Sequence, residues 1–244
     1  MRYKRILLKL SGGAIAGERG FGFDSTSLDY IADEILSVHE LGVQIPSVIG
    51  GGNIFRGEQG AQWGIEHSEA DNIGMMATVI NSLMLRGVLT ARGKHEVRVM
   101  TAIPINTVAE PYIRLRAIHN IEKNYLILLA GGIGNPYVTT DYTGVQRALE
   151  LRADAIFFAK HQTDGVYTDD PNENPKAKRY RRVKAATVIQ KNLGALDQSA
   201  VLLARDNDLP IHVFDFDQKG SMRRILEGED VGTLISQVSE DEIE

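Results

Sequence analysis

The residues in this chain best suited to chemistry are glycines in twos and threes, each group following a short apolar run, with a cation or two beside them. "KLSGGAIAG" follows the run that ends at Leu10, "GGGNIFRG" follows Val48 and Ile49, and "AGGIGNPYVTTD" follows Leu129. A missing side chain lets backbone N–H groups come close to an anion. One such stretch is equally well a tight turn; three at equivalent places point to a shared chain of phosphates. Lys9 sits in the first apolar run, one residue before its Leu-Ser-Gly-Gly end. Two readings stand for it: a clamp on a transferring phosphoryl group, or a packed stem whose ammonium snorkels out. Arg56 is either a fork for phosphate oxygens or a solvated helix residue. Asp141 and Asp197 are either helix caps or carboxylates, one steadying the Lys9 ammonium and one helping to organise magnesium. A phosphate acceptor is already deprotonated at neutral pH, so such a site has little need of a general base.

Familiar alternatives are missing. No G-x-x-x-x-G-K-[ST] occurs, and no G-x-G-x-x-G follows a strand-like run, which removes the P-loop and the dinucleotide fingerprint. The six histidines show no H-x-x-x-H spacing, and there is no cysteine, so neither a zinc pair nor thiolate chemistry is signalled.

The elements that must hold these groups alternate along the chain. "RILLKL", "VQIPSVIG", "VRVMTAI", "YLILLAGG", "DAIFFAK" and "IHVFDF" read as strands buried on both faces. Between the first two, Leu28, Ile31, Ile35 and Val38 recur at helical spacing, with Asp24 or Ser25 as cap and Gly42 as stop. Helical patterns recur in "SEADNIGMMATVINSLMLRGVL", "PYIRLRAIHNIE", "TTDYTGVQRALELRA" and "LDQSAVLLARDN". The class expected is α/β, a three-layer sandwich with a mainly parallel central sheet, and ligands belong at the carboxyl ends of its strands. Pro46 requires a late-starting strand or a bulge. Thr168 to Lys184 reads as a long surface loop, and the acidic end "SEDEIE", residues 239–244, as a frayed tail.

At 244 residues with a net charge of -5, the chain has a globular composition and no overall electrostatic reason to bind nucleic acid or an anionic membrane. Its first residues lack a signal peptide's apolar core, and no stretch reads as a membrane span, so a cytoplasmic protein is expected.

Taken in order, "YKRILLKLSG", "GFGFD", "VIGGGNIFRG", "ADNIGMMATVINSL", "GNPYVTTD", "TDGVYTDDP", "LARDNDLPIHVF" and "GTLIS" resemble the bacterial uridylate kinases, a branch of the amino acid kinase family, from Tyr3 to Ser236. The resemblance implies transfer of the terminal phosphoryl of ATP to UMP with magnesium, on the way to UTP and CTP. It implies a single amino acid kinase-type domain, residues 1–244, with UMP held mainly by about 1–150 and ATP mainly by about 151–240. By position, Lys9, Leu10, Ser11, Gly12, Gly52 and Arg56 would meet the ATP phosphates, and His161, Tyr167 and Asp170 the adenine and ribose. Gly51, Asp71 and the run Ile133, Gly134, Asn135, Pro136, Tyr137, Val138, Thr139 and Thr140 would hold UMP. Asp197 matches the family's acidic partner of the catalytic lysine. Gly17, Glu18, Arg19, Gly20, Phe21 and Gly22 match a loop that binds GTP as activator; UTP inhibition and a homohexamer are implied as well. Magnesium would enter mainly through the nucleotide phosphates, without a dedicated protein ligand.

The chain departs from the family at three positions: Gly13 where glutamate is usual, Ile133 for threonine, and His161 for threonine or asparagine. Lys160 is an added cation without an assigned role. These departures leave two alternatives open, a related kinase with another acceptor such as CMP or a small carboxylate, and a nucleotide-binding regulatory protein without turnover.

Overall fold

The structure is a computed structural model that describes residues 1–93, 95–171 and 173–244. The chain begins with β1 (Ile6–Leu10), α1 (Gly13–Ala16), a 3-10 turn at Gly17–Arg19, α2 (Ser25–His39), β2 (Ser47–Ile49) and α3 (Gly57–Gln62). It continues through α4 (His67–Ala91), β3 (Val97–Thr101), β4 (Glu110–Pro111), α5 (Arg114–Glu122), β5 (Leu126–Ala130) and α6 (Thr140–Glu150). It ends with β6 (Ala155–Lys160), β7 (Tyr180–Lys184), α7 (Ala185–Gln190), α8 (Gln198–Asp206), β8 (Ile211–Asp215), α9 (Ser221–Glu227), β9 (Thr233–Ser236) and β10 (Glu242–Ile243). The expected α/β class holds: the strands are mainly parallel and helices flank them.

Two compact units are present. One comprises Lys9–Thr140. Its strands run β2-β5-β3-β4, every pair parallel, with the end of β1 beside β2. Every residue of β2 and β5 is buried, which is why these strands read as unbroken apolar runs rather than alternating ones. Pro46 is accommodated by a late start: β2 opens at Ser47, so the missing N–H falls outside the ladder. α2 is capped by the Asp24 carboxylate, which accepts from Ser27 N at 2.8 Å, and it buries Leu28, Ile31, Ile35 and Val38. α4 corrects one expectation, since by length and composition it is apolar enough to cross a membrane. It packs instead on β3, β5 and α2, and buries Met75, Val79, Leu85 and Leu89 among others.

The other unit comprises Met1–Leu8 and Asp141–Glu244, with strand order β10-β7-β9-β8-β6-β1. β6 and β8 are parallel, β8 and β9 antiparallel, β9 and β7 parallel, and β7 and β10 antiparallel. Two further expectations are corrected here. The segment expected to be loop from Thr168 to Lys184, whose Asn172 lies outside the described residues, ends as strand β7, with Tyr180 fully buried. The acidic end does not fray: β10 pairs with β7, and Glu244 N donates to Arg179 O at 2.9 Å. Both follow from charge complementarity, because β7 is a cationic strand and β10 an anionic one. Arg182 lies 3.9 Å from Glu242, and Arg179 contacts Glu244 at 2.5 Å.

Candidate functional site

In the Lys9–Thr140 unit the first two glycine turns touch. A Cβ on Gly12 would lie 2.6 Å from Asn53 Oδ1 and 2.7 Å from Gly52 N, and one on Gly51 would lie 2.7 Å from Gly74 O. Neither position admits a side chain. The reason for these glycines is therefore close approach of backbone to backbone, and the N–H groups of the two turns are gathered into one place. Gly50 N donates to Leu10 O at 2.9 Å, tying the second turn to the end of the strand that carries Lys9. Lys9 itself is buried, and Arg56 is exposed with its Nε donating to Gly52 O at 3.1 Å. That bond turns the guanidinium along the triple-glycine turn.

Two polar residues of α4 hold this arrangement, and neither was singled out from the sequence. Asn81 and Asn53 are both fully buried and exchange amide hydrogen bonds at 2.6 and 3.1 Å; Asn81 Nδ2 also donates to Gly50 O at 2.7 Å. One turn earlier, the Thr78 hydroxyl donates to Met75 O and accepts from Gly131 N at 2.8 Å. α4 thus fixes the second glycine turn with Asn81 and the third with Thr78. The signal was present as two polar residues three apart inside "ATVINSL".

The third turn is wound tightly, with positive φ at Gly131, Gly132, Gly134 and Tyr137. Asp71, in the second turn of α4, accepts from Tyr137 N at 2.6 Å and lies 3.2 Å from His67 Nδ1; the His67 ring stacks on Tyr137 at 4.6 Å. Asp71 and the run from Ile133 to Thr140 are therefore brought together, although they stand more than sixty residues apart in sequence. Gly17 to Gly22 form the 3-10 turn and its exit, with Phe21 exposed, and Gly22 N donates to Asn53 O at 2.8 Å. Gly13 opens α1, and a Cβ there would meet only Ser11 Oγ at 3.8 Å, so nothing steric demands glycine.

In the other unit, the Asp197 carboxylate caps α8, accepting from Ser199 N at 2.8 Å and Ser199 Oγ at 2.6 Å. Its backbone N donates to Asp141 Oδ2 at 3.3 Å, so the two carboxylates are neighbours. Asp141 lies in the first turn of α6. A cavity of about 360 Å³ opens between the segments 163–171 and 191–195, lined by Tyr167 and Asp170 but not by His161. His161 instead faces the loop after β8, its Nδ1 2.7 Å from Asp217 Oδ2. Tyr167 donates to Asp164 Oδ1 at 2.7 Å, and that bond, with partial burial, raises the phenol above its ordinary pKa and keeps it a donor.

A family model described as the amino acid kinase family matches residues 4–215. The chain belongs to that family. Among its amino acid kinase relatives, a uridylate kinase of Frankia alni is 55% identical over 234 residues, 96% of this chain and 91% of that protein. A solved UMP kinase of Bacillus anthracis superposes with a TM-score of 0.97 at 55% identity, each chain covered in full. A second, from Ureaplasma parvum, superposes with a TM-score of 0.91 at 30% identity, over 97% of this chain and 100% of the other. As an amino acid kinase, the chain carries its glycine turns and its strand-end lysine within the matched span.

Proposed function

We propose that the protein transfers the terminal phosphoryl group of ATP to UMP, giving UDP and ADP. The observation that carries this is likeness over the full length at 55% identity to a protein named UMP kinase. An oxygen of the UMP phosphate attacks the γ-phosphorus in line, a new P–O bond forms, and the bond from γ-phosphorus to the β,γ-bridging oxygen breaks, leaving ADP. The acceptor needs no proton removed, so the work of the chain is positioning and charge. Lys9 neutralises charge that develops on the transferring group, and Asp197 stands at the position of the family's acidic residue for the same step. Leu10, Ser11, Gly12, Gly52 and Arg56 hold ATP phosphates through the gathered backbone donors and one guanidinium. Tyr167, Asp170 and His161 hold adenine and ribose; the cavity supports this for the first two. Gly51, Asp71 and Ile133 to Thr140 hold UMP, supported by the bond that joins Asp71 to this run. Asp141 steadies the Asp197 backbone.

Magnesium fits the site as a passenger of the nucleotide. Magnesium would keep most of its ligands as water and phosphate oxygens. When bound, it supplies positive charge to the β- and γ-oxygens.

Regulation and assembly belong to the same proposal. GTP acts as activator through Gly17 to Gly22, supported by the link from Gly22 to Asn53 in the phosphate turn, and UTP acts as inhibitor. The chain assembles as a homohexamer and works in the cytoplasm; the exposed apolar row on α4 at Ile73, Met76, Ile80 and Met84 supports self-association. The test of the central reaction is NDP formation with Mg-ATP and, separately, UMP, CMP, dUMP or aspartate. Turnover confined to UMP is expected; turnover with another acceptor alone, or nucleotide binding without turnover, overturns the proposal. The intact Lys9 and Asp197 weigh against a regulatory protein, and Gly13 has room for the missing acid without rebuilding the turn.

A further inference from the structure

We infer that the acidic segment Asp241–Glu244 is a clasp that sets the walls of the cavity lined by Tyr167 and Asp170, and so tunes how tightly this unit holds its nucleotide. The inference rests on reading that cavity as the adenine nucleotide pocket.

Both walls are tied to this segment. For the first wall, the Glu244 carboxylate receives two hydrogen bonds from the Arg179 guanidinium, at 3.1 Å from Nε and 2.5 Å from Nη2. The third guanidinium nitrogen, Nη1, turns the other way, donating to Asp164 O at 3.2 Å and lying 3.1 Å from Asp164 Oδ2. Asp164 then accepts the Tyr167 hydroxyl. Arg179 also forms a backbone bridge with Tyr167, and its stem crosses Gly165 so closely that a Cβ there would lie 2.8 Å from Arg179 Cδ. The guanidinium is a rigid fork, so its direction at Asp164 is fixed by what holds its other edge. Glu244 holds that edge. For the second wall, Asp241 accepts from Lys184 N at 2.8 Å and from Thr187 Oγ1 at 2.8 Å, joining the entry and first turn of α7. α7 runs directly into 191–195, and Lys191 N donates back to Thr187 O at 3.0 Å.

Asp241 and Glu244, far in sequence from every lining residue, are thus tied through Thr187 and Arg179 to the two segments that form the cavity. Glu244 and Asp241 touch no nucleotide in this scheme; they are positioning residues, acting through Arg179 and Thr187.

The experiment measures initial rates and equilibrium ATP binding for the full chain, Glu244→Gln, Asp241→Asn with Glu244→Gln, Arg179→Lys, and Glu244→Gln in a Tyr167→Phe background. Because the pair is partly exposed, the expected rise in KM for ATP is about fivefold for Glu244→Gln and about tenfold for the double change. Expected alongside are an unchanged kcat, an unchanged KM for UMP, and no further effect of Glu244→Gln once Tyr167 is Phe. An unchanged KM for ATP in variants of a wild type that phosphorylates UMP overturns the clasp and leaves the proposed function standing. So does a parallel fall in kcat and thermal midpoint that persists in the Tyr167→Phe background. A wild type that binds no ATP overturns the nucleotide reading, and the clasp with it.

Discussion

At the scale of single residues, the site depends on groups that touch no substrate in the proposed scheme as much as on those that do. The Asn53–Asn81 pair is fully buried, and each amide satisfies the other while holding the carbonyl of Gly50 or Gly22. Asn81→Ala removes two donors and leaves the Gly50 carbonyl and the Asn53 oxygen without those partners, a loss of about 2–3 kcal/mol in a urea titration. The same variant raises KM for both nucleotides, because the triple-glycine turn loses its anchor. Lys9→Ala behaves differently. It removes charge where the transition state develops it, so kcat falls by about 10²–10³ while far-UV circular dichroism stays unchanged. Normal turnover in Lys9→Ala would falsify the phosphoryl-clamp role. Asp71→Ala acts on KM for UMP, and more strongly than a lost ribose contact alone would, because the Tyr137 N–H and the left-handed turn around it lose their acceptor too.

Among the elements, α4 does the most. Thr78 and Asn81 face inward to two glycine turns, Met75, Val79, Leu85 and Leu89 are buried, and Ile73, Met76, Ile80 and Met84 remain exposed at helical spacing. A helix with apolar residues on both faces has two packing surfaces, and in the proposed assembly the exposed one is covered by another copy of the chain. Ile80→Glu places a charge in that second surface, and light scattering after size exclusion should show a smaller species than wild type; an unchanged mass removes α4 from the assembly contact. The sequence made this helix easy to find, as it did β1, β5, β6 and β8, because their apolar runs are long and bounded by glycine, proline or capping residues. β7 and β10 were hidden for a physical reason. Tyr180 and Val183 are the only two buried residues in "YRRVK", and "EI" has none, so both strands owe their pairing to partners distant in sequence rather than to local pattern. The site divides in the same way. The glycines, Lys9 and Arg56 announced themselves by type and Asp71 only through the family resemblance, whereas Asn53, Asn81, Thr78 and Arg179 matter through what they reach.

For the whole molecule, the sharpest consequence is how stability depends on pH, because both compact units bury a histidine in its neutral form. His212, in β8, lies against Phe157 at 5.0 Å between ring centroids and shares a 3.0 Å hydrogen bond with the Tyr3 hydroxyl. Burial pushes its pKa down to about 3, with the Arg2 charge adding to the shift. His39, in α2, is lowered by burial and then by neighbouring His95. In the unfolded chain both return to about 6.5. Above that value neither form carries a proton and the histidines cost nothing. As pH falls through 6.5, the unfolded state takes up protons that the folded state refuses, so stability drops by up to about 1.4 kcal/mol per pH unit for each histidine, and for His212 the loss continues toward pH 3. Carboxylates held below their usual range, such as Asp24 and Asp169, act only nearer pH 4 and below. Between pH 7 and 5 the histidines therefore dominate. Urea unfolding across that interval should show stability falling with acid, and His212→Phe should flatten the slope by roughly half while lowering stability at pH 7 by about 1 kcal/mol for the lost Tyr3 bond. An unaltered slope in His212→Phe would mean that this imidazole accepts its proton within the folded strand, against the burial that surrounds it.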